Sequence, residues 1–154
     1  MLLFLSADDA FAEDNLLSAT YTIKSDMQVL LPGGDVKAFG NVLITSGDMV
    51  IEAQEAVFHR KDRSNLFITA TGTPIKYQGI LEDGRPFSGN SLELKYVIAS
   101  GTVNLINKAF IQLQNSSLSA AVIQYNVKTK EMEATRSNDS VVAAVLYPAQ
   151  LSSK

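Results

Sequence analysis

From Thr20 onward, apolar and polar side chains alternate with a period of two. Tyr21, Ile23, Ser25, Met27 and Val29 share one face of an extended chain; Leu92, Leu94, Tyr96 and Ile98 share another, with Glu93 and Lys95 between them. Successive side chains of a strand point to opposite sides, so this alternation predicts strands with one buried and one solvated face. Val, Ile, Thr, Tyr and Phe, residues that suit a pleated surface, recur throughout. No segment has a convincing helical period. Gln54 to Arg60 comes nearest, and Ala56-Val57-Phe58 within it fits a strand better.

Turn signals divide the chain at short intervals. They are Pro32-Gly33-Gly34-Asp35, Ser46-Gly47-Asp48, Lys61-Asp62-Arg63-Ser64, Thr71-Gly72-Thr73-Pro74, Glu82-Asp83-Gly84-Arg85, Ser100-Gly101 and Asn115-Ser116. Asp83-Gly84 between two alternating runs is a strong hairpin signal. Many short strands at a spacing of about ten residues predict an all-β, antiparallel sandwich, roll or barrel.

An internal repeat refines this picture. Ile51-x-Ala53-x-x-Ala56-x-Phe58 recurs as Phe87-x-Gly89-x-x-Leu92-x-Leu94 and as Leu118-x-Ala120-x-x-Ile123-x-Tyr125. The copies begin 36 and 31 residues apart. In each, a small residue and a two-residue step shift the alternation by one, as a β-bulge does. Each copy is therefore expected to turn a corner between two walls of the fold. Gly40-Asn41-Val42-x-Ile44 has a looser partner in Lys108-Ala109-x-Ile111.

Composition adds exclusions. A length of 154 residues suits one domain with a core of its own. The net charge is −3 with both signs scattered, and no basic stripe for nucleic acid or polybasic cluster for anionic membranes is present. With no cysteine there is no disulfide framework, thiol nucleophile or thiolate metal site. The apolar Met1-Leu2-Leu3-Phe4-Leu5 and the small-x-small Ala10-Phe11-Ala12 before Glu13 predict that residues 1–12 are the remnant of a secretory signal peptide. Residues 13–19 are then a flexible start, and residues 20–151 the folded domain. No run approaches the roughly 20 apolar residues of a spanning helix.

Chemistry-bearing constellations are sparse. The one histidine, His59, stands beside Arg60 and Lys61 and is expected at a surface turn. Without cysteine or a second histidine no metal-ligand spacing exists. Glu52, Glu55, Glu93, Glu131 and Glu133 are spread singly, with nothing marking an acid–base pair. Phosphate loops and nucleophile elbows are missing. The expectation is a non-enzymatic chain with no catalytic residue, no metal and no cofactor. Two non-enzymatic roles are open on the residues alone: a polymerising structural β-subunit, or a glycan-binding β-roll. The last predicts exposed aromatics, yet Trp is absent and the aromatics follow the inward phase.

Several segments, taken in order, resemble the OstA-like family: Ile23-Lys24-Ser25-Asp26, Gly40-Asn41-Val42-Leu43-Ile44, Ile51-Glu52-Ala53 and Gly72-Thr73-Pro74. Asp83-Gly84-Arg85-Pro86-Phe87-Ser88-Gly89 and Val145-Leu146-Tyr147-Pro148-Ala149-Gln150-Leu151 continue the series. The resemblance spans about residues 20–151. It implies a β-jellyroll open along one side, a sheet folded like a taco, whose interior holds the acyl chains of lipopolysaccharide in the periplasm. It also implies neighbours of the same fold: a membrane-anchored inner-membrane component, the N-terminal domain of the outer-membrane lipopolysaccharide translocon, and further copies joined head to tail.

On that resemblance the apolar phase becomes a candidate lipid groove, formed by Tyr21, Ile23, Ile44, Ile51, Tyr77, Phe87, Leu94, Tyr96, Ile98, Ile111 and Tyr125. The tyrosines, apolar with a polar tip, suit its mouth. The terminal strands become protomer edges, with Tyr21, Ile23 and Met27 at one end and Val141, Ala143, Val145 and Tyr147 at the other. Patterning alone would instead pair those strands within their own sheet.

Overall fold

The alternation is realised as ten strands in one antiparallel sheet in the computed structural model, which describes residues 19–146. They are β1 (Thr22–Lys24), β2 (Met27–Leu30), β3 (Val36–Ser46), β4 (Met49–His59), β5 (Phe67–Ile80), β6 (Pro86–Val97), β7 (Thr102–Leu113), β8 (Ser116–Asn126), β9 (Met132–Thr135) and β10 (Ala143–Val145). From β3 to β8 each strand pairs with the next. β1 and β2 both pair with β3, and β9 and β10 both pair with β8. The expected signal remnant at 1–12, most of the start at 13–19, and Tyr147 to Leu151 lie outside the described residues.

The central strands are longer than the turn signals predict. β3 to β8 run 11 to 14 residues each, rather than stopping about every ten. Thr71-Gly72-Thr73-Pro74 is not a turn: it lies inside β5. The chain passes through it because the register slips there, between Thr71 and Ile75, while β5 stays paired with β6 on both sides. Equivalent slips fall between Phe39 and Val42, Glu52 and Glu55, Asn90 and Glu93, and Ile106 and Ala109. Together they draw one line of corners across the sheet.

Each corner has its own chemistry. Gly40 and Asn41 take left-handed φ values of 77° and 48°, and Asn107 and Lys108 take 67° and 54°. These are the segments that pair up in the looser repeat. In β6 the Ser91 hydroxyl donates to the carbonyl of Glu93 at 2.6 Å, bridging the two-residue step. Ser91 is buried and Leu92 only half-buried, so Leu92 sits in the corner and not on the inward face with Leu94, Tyr96 and Ile98.

The corners divide the sheet into two walls. The first holds residues 42–46, 49–53, 75–80, 86–90, 109–113 and 116–120; the second holds 36–39, 55–59, 67–71, 93–97, 102–106 and 122–126. Their inward side chains form one core, in which Ile51, Ile68, Ile75, Val103 and Ile123 are completely buried. Hairpin turns therefore collect on two lips. The β3–β4, β5–β6 and β7–β8 turns edge the first wall; the β2–β3, β4–β5, β6–β7 and β8–β9 turns edge the second.

The edges follow the same division. Tyr21 to Leu30 is not one strand: β1 lies on the first wall and β2 on the second, and the break at Ser25–Asp26 is their corner. There the Asp26 N–H donates to the Gly40 carbonyl at 2.8 Å, and Asn41 Nδ2 donates to Asp26 Oδ2 at 3.0 Å. Likewise β9 lies on the second wall and β10 on the first.

A Cβ on Gly40 would sit 2.5 Å from Asp26 Oδ2, on a backbone that already has a positive φ. Gly40→Ala should lower the free energy of unfolding by about 1–2 kcal/mol in a denaturant titration, the scale of left-handed strain. Asn41→Gly should cost less than about 1 kcal/mol, since only a side-chain hydrogen bond is lost.

Candidate functional site: an aromatic cleft between two walls

The interior is richest in aromatic rings near the lips. Tyr77 and Phe87 come from the first wall and Tyr125 from the second. Tyr125 meets Phe87 edge-on at 4.9 Å between centroids and Tyr77 at 6.4 Å. Its hydroxyl donates to the carbonyl of Ile80, which ends β5 on the first wall. This one bond joins the lips across the mouth of the fold. Tyr21, just before β1, bridges the walls a second time, meeting Phe58 edge-on at 5.5 Å and Tyr96 at 6.4 Å, both on the second wall.

Two clefts open at these aromatics. One, of about 290 Å³, is lined by Tyr21, Met49, Tyr77, Tyr96 and Tyr125, with Asp48 and Lys130 facing it from opposite lips. The other, of about 470 Å³, shares Tyr21 and continues along Phe58, Leu66 and Ile98 to the β4–β5 turn. Between them the walls touch.

Of the residues predicted for a groove, Ile44, Ile51, Tyr77, Phe87, Leu94, Tyr96, Ile98, Ile111 and Tyr125 are all 5% exposed or less and belong to one cluster. Tyr21 and Ile23 are half-buried against that cluster. The fold thus brings the whole set to one side of the sheet. Of those predicted for the edges, Met27, Val141 and Val145 are 55%, 67% and 55% exposed. Ala143 is exposed on β10, and Tyr147 lies outside the described residues. Sequence reasoning missed Met49, Ile68, Ile75, Val103, Leu105 and Ile123, which share the inward face. Their signal was the same alternation: four lie on β5 and β7, where phase slips hid it, Met49 begins β4, and Ile123 stood in the repeat without being assigned to the groove.

His59 is not at a turn. It ends β4, half-buried, stacked on Phe67 at 4.1 Å and within 2.9 Å of the Thr69 hydroxyl through Nε2. That cluster faces away from the cleft. Among the described residues no group of three His, Cys, Asp or Glu is placed to hold a metal ion.

The family described as LptA/(LptD N-terminal domain) LPS transport protein matches residues 22–131. The chain belongs to this family. Its relatives include the lipopolysaccharide export system protein LptA of Haemophilus influenzae, 32% identical over 96% of this chain and 88% of the relative. LptA of Escherichia coli K12 is 31% identical over 94% of this chain and 80% of that protein. Among solved structures, the fold resembles that of LptH from Pseudomonas aeruginosa, described as the LptA-homologous periplasmic component of the lipopolysaccharide transport device. The TM-score is 0.75 at 18% identity, covering 84% of this chain and 96% of that one. That likeness concerns the fold: an LptA-family sheet, folded along a line of bulges.

In this LptA-family chain, burial pushes the hydroxyl of Tyr77 well above its ordinary value near 10, and Tyr125 adds to the effect. Tyr96 rises for the same reason, helped by the hydrogen bond it donates to Tyr21. Tyr21 and Tyr125 are raised by burial as well. The folded state holds these protons to higher pH than the unfolded chain, whose phenols ionise near 10. The tyrosines' contribution to stability should therefore be complete below pH 10 and be lost as pH rises through the raised values. Tyrosinate absorbance and circular dichroism, followed together, should change in one step. Separately, Tyr125→Phe should cost about 0.5–1.5 kcal/mol, the net worth of one hydrogen bond. It should also speed amide exchange near Ile80 more than at the corners.

Proposed function

We propose that the chain is a periplasmic lipopolysaccharide carrier, a segment of the bridge that takes this lipid from inner to outer membrane without chemical change. The observation that carries this reading is the form of the apolar interior. It is one face of one sheet, folded on itself, running from the β1/β2 edge to the β9/β10 edge. Among the described residues no strand covers either outer edge. The names of the relatives, lipopolysaccharide export system proteins, agree with it.

The physics of the cargo explains the architecture. Exposing an acyl chain to water costs roughly 0.8 kcal/mol per CH₂, hence about 10 kcal/mol for a chain of about a dozen methylenes. Several chains make free diffusion across an aqueous space negligible. An apolar trough removes most of that cost, and a trough open along one side lets a bulky, charged sugar head stay in water. No catalytic group is needed. Direction must come from a neighbour, since binding alone supplies none.

The interior as described is closed by its own side chains, so cargo enters as the lips part. Tyr125 and Tyr21, which bridge the walls, are the contacts that yield. Acyl chains then replace side-chain contacts of the opposite wall with contacts of the same kind, at little net cost. The exposed edges suit strand addition by a domain of the same fold. The partners proposed are the anchored inner-membrane component, the N-terminal domain of the outer-membrane translocon, and further copies joined head to tail.

Photocrosslinking in cells tests the carrier role. A probe replacing Tyr96, which faces inward, should yield a lipopolysaccharide adduct; a probe replacing its exposed neighbour Lys95 should yield none. Silence at Tyr96, Ile23, Tyr77 and Ile98 in folded, exported protein would sink the carrier reading.

A further inference from the structure

We infer that the cationic turn between β4 and β5 seats the phosphorylated headgroup of the lipid, an inference that rests on the carrier reading and adds a second recognition element to it. Arg60, Lys61 and Arg63 occupy this turn and line the 470 Å³ cleft. Its apolar floor is continuous with the interior: Tyr21, Phe58 and Leu66 pack against the core to which Ile98 belongs. Cations and acyl-binding surface therefore meet at one place.

The turn is held mainly through its backbone, and its three cations outnumber the nearby carboxylates Asp35 and Asp62. Asp35 Oδ1, from the β2–β3 turn, accepts the backbone N–H groups of both Arg60 and Lys61 at 2.8 Å. Arg60 Nε donates to the Gly34 carbonyl at 2.7 Å. The Lys61 stem crosses Gly33, where a Cβ would come within 3.1 Å of it. Asp62 is engaged by the N–H and hydroxyl of Ser64, at 3.0 and 2.7 Å. Both nearby carboxylates organise backbone or hydroxyl donors, and Asp35 Oδ2 also lies 3.7 Å from His59 Nδ1. Among the described residues no ion pair is formed by Arg60, Lys61 or Arg63.

The two lips differ in sign. Lys128 and Lys130, in the β8–β9 turn with Glu131, leave this lip with five cations against Asp35, Asp62 and Glu131. The opposite lip carries Asp48, Glu82 and Asp83, and its Arg85 is held by Asp83 at 2.7 Å. An anionic group at the mouth is drawn to the β4–β5 side and repelled from the other. Arginine matches phosphate bidentately, and a phosphate monoester approaches two negative charges at neutral pH. A free phosphate would satisfy the cations and leave the apolar floor in water. An acylated, phosphorylated sugar satisfies both at once.

The test compares two lipid A preparations with identical acyl chains, one phosphorylated and one with its phosphates removed, binding to the full chain at equilibrium. The wild type should hold the phosphorylated form about tenfold more tightly, the scale of one or two charge-assisted bonds. Arg60→Gln/Lys61→Gln/Arg63→Gln should bind both forms equally, at the wild-type affinity for the dephosphorylated lipid. Lys61→Gln/Arg63→Gln, which keeps the Arg60 bond to Gly34, should lose most of the preference. Lys24→Gln/Lys76→Gln/Lys95→Gln, with the same charge change on outward positions, should keep it. A preference that survives the triple turn variant, or that disappears equally in the control, overturns the inference. So does tight binding of inorganic phosphate alone at the turn, which would mark a free-anion site. Failure of the wild type to bind either lipid would instead overturn the carrier reading.

Discussion

A folded sheet must hide the same face on both of its walls, and every strand must bend at the same place to do so. Backbone hydrogen bonds tie each strand to its neighbours, so none can turn a corner alone. The line of bulges from Phe39/Val42 to Ile106/Ala109 is the common solution to this constraint. Without it, the strands would form an open twisted sheet with the core residues on a single solvent-exposed side. Core, cleft, lips and split edges all derive from it.

The solutions differ from strand to strand although the task is shared. In β3 and β7 two adjacent left-handed residues carry the bend. In β5 it is Gly72-Thr73-Pro74, and in β6 a buried serine closes the step through its hydroxyl. A fold that needs geometry at a position, and not a particular residue, leaves a faint repeat: small residues and a phase slip with few identities.

That explains what could be read in advance. Alternation gave away the strands and the inward set, because burial on one face leaves a two-residue period in the chain. The repeat revealed the corners in β4, β6 and β8. The corner in β5 looked like a turn, since Gly-Thr-Pro carries the same local signal whether the chain reverses or only bends; pairing on both sides decides which. The split of the first strand at Asp26 was invisible because its partner, Gly40-Asn41, lies far along the chain. The tyrosines were legible as inward residues, but not the bond from Tyr125 to Ile80. It joins strands that are not neighbours in the sheet, and no local pattern encodes it.

The split edges would give any assembly built through them a polarity. Among the described residues the strand path has eight places, from β1 to β10. An even number of antiparallel passes makes the first and last run in opposite senses. A second copy set against the β9/β10 edge through its own β1/β2 edge therefore continues the alternation, first wall on first wall and second on second. Two copies joined through like edges could align their interiors only by exchanging walls, which would switch the cationic lip from side to side. Only the unlike junction would extend one trough with one cationic rim, so the even strand count of the described sheet would set the polarity of a chain joined through these edges.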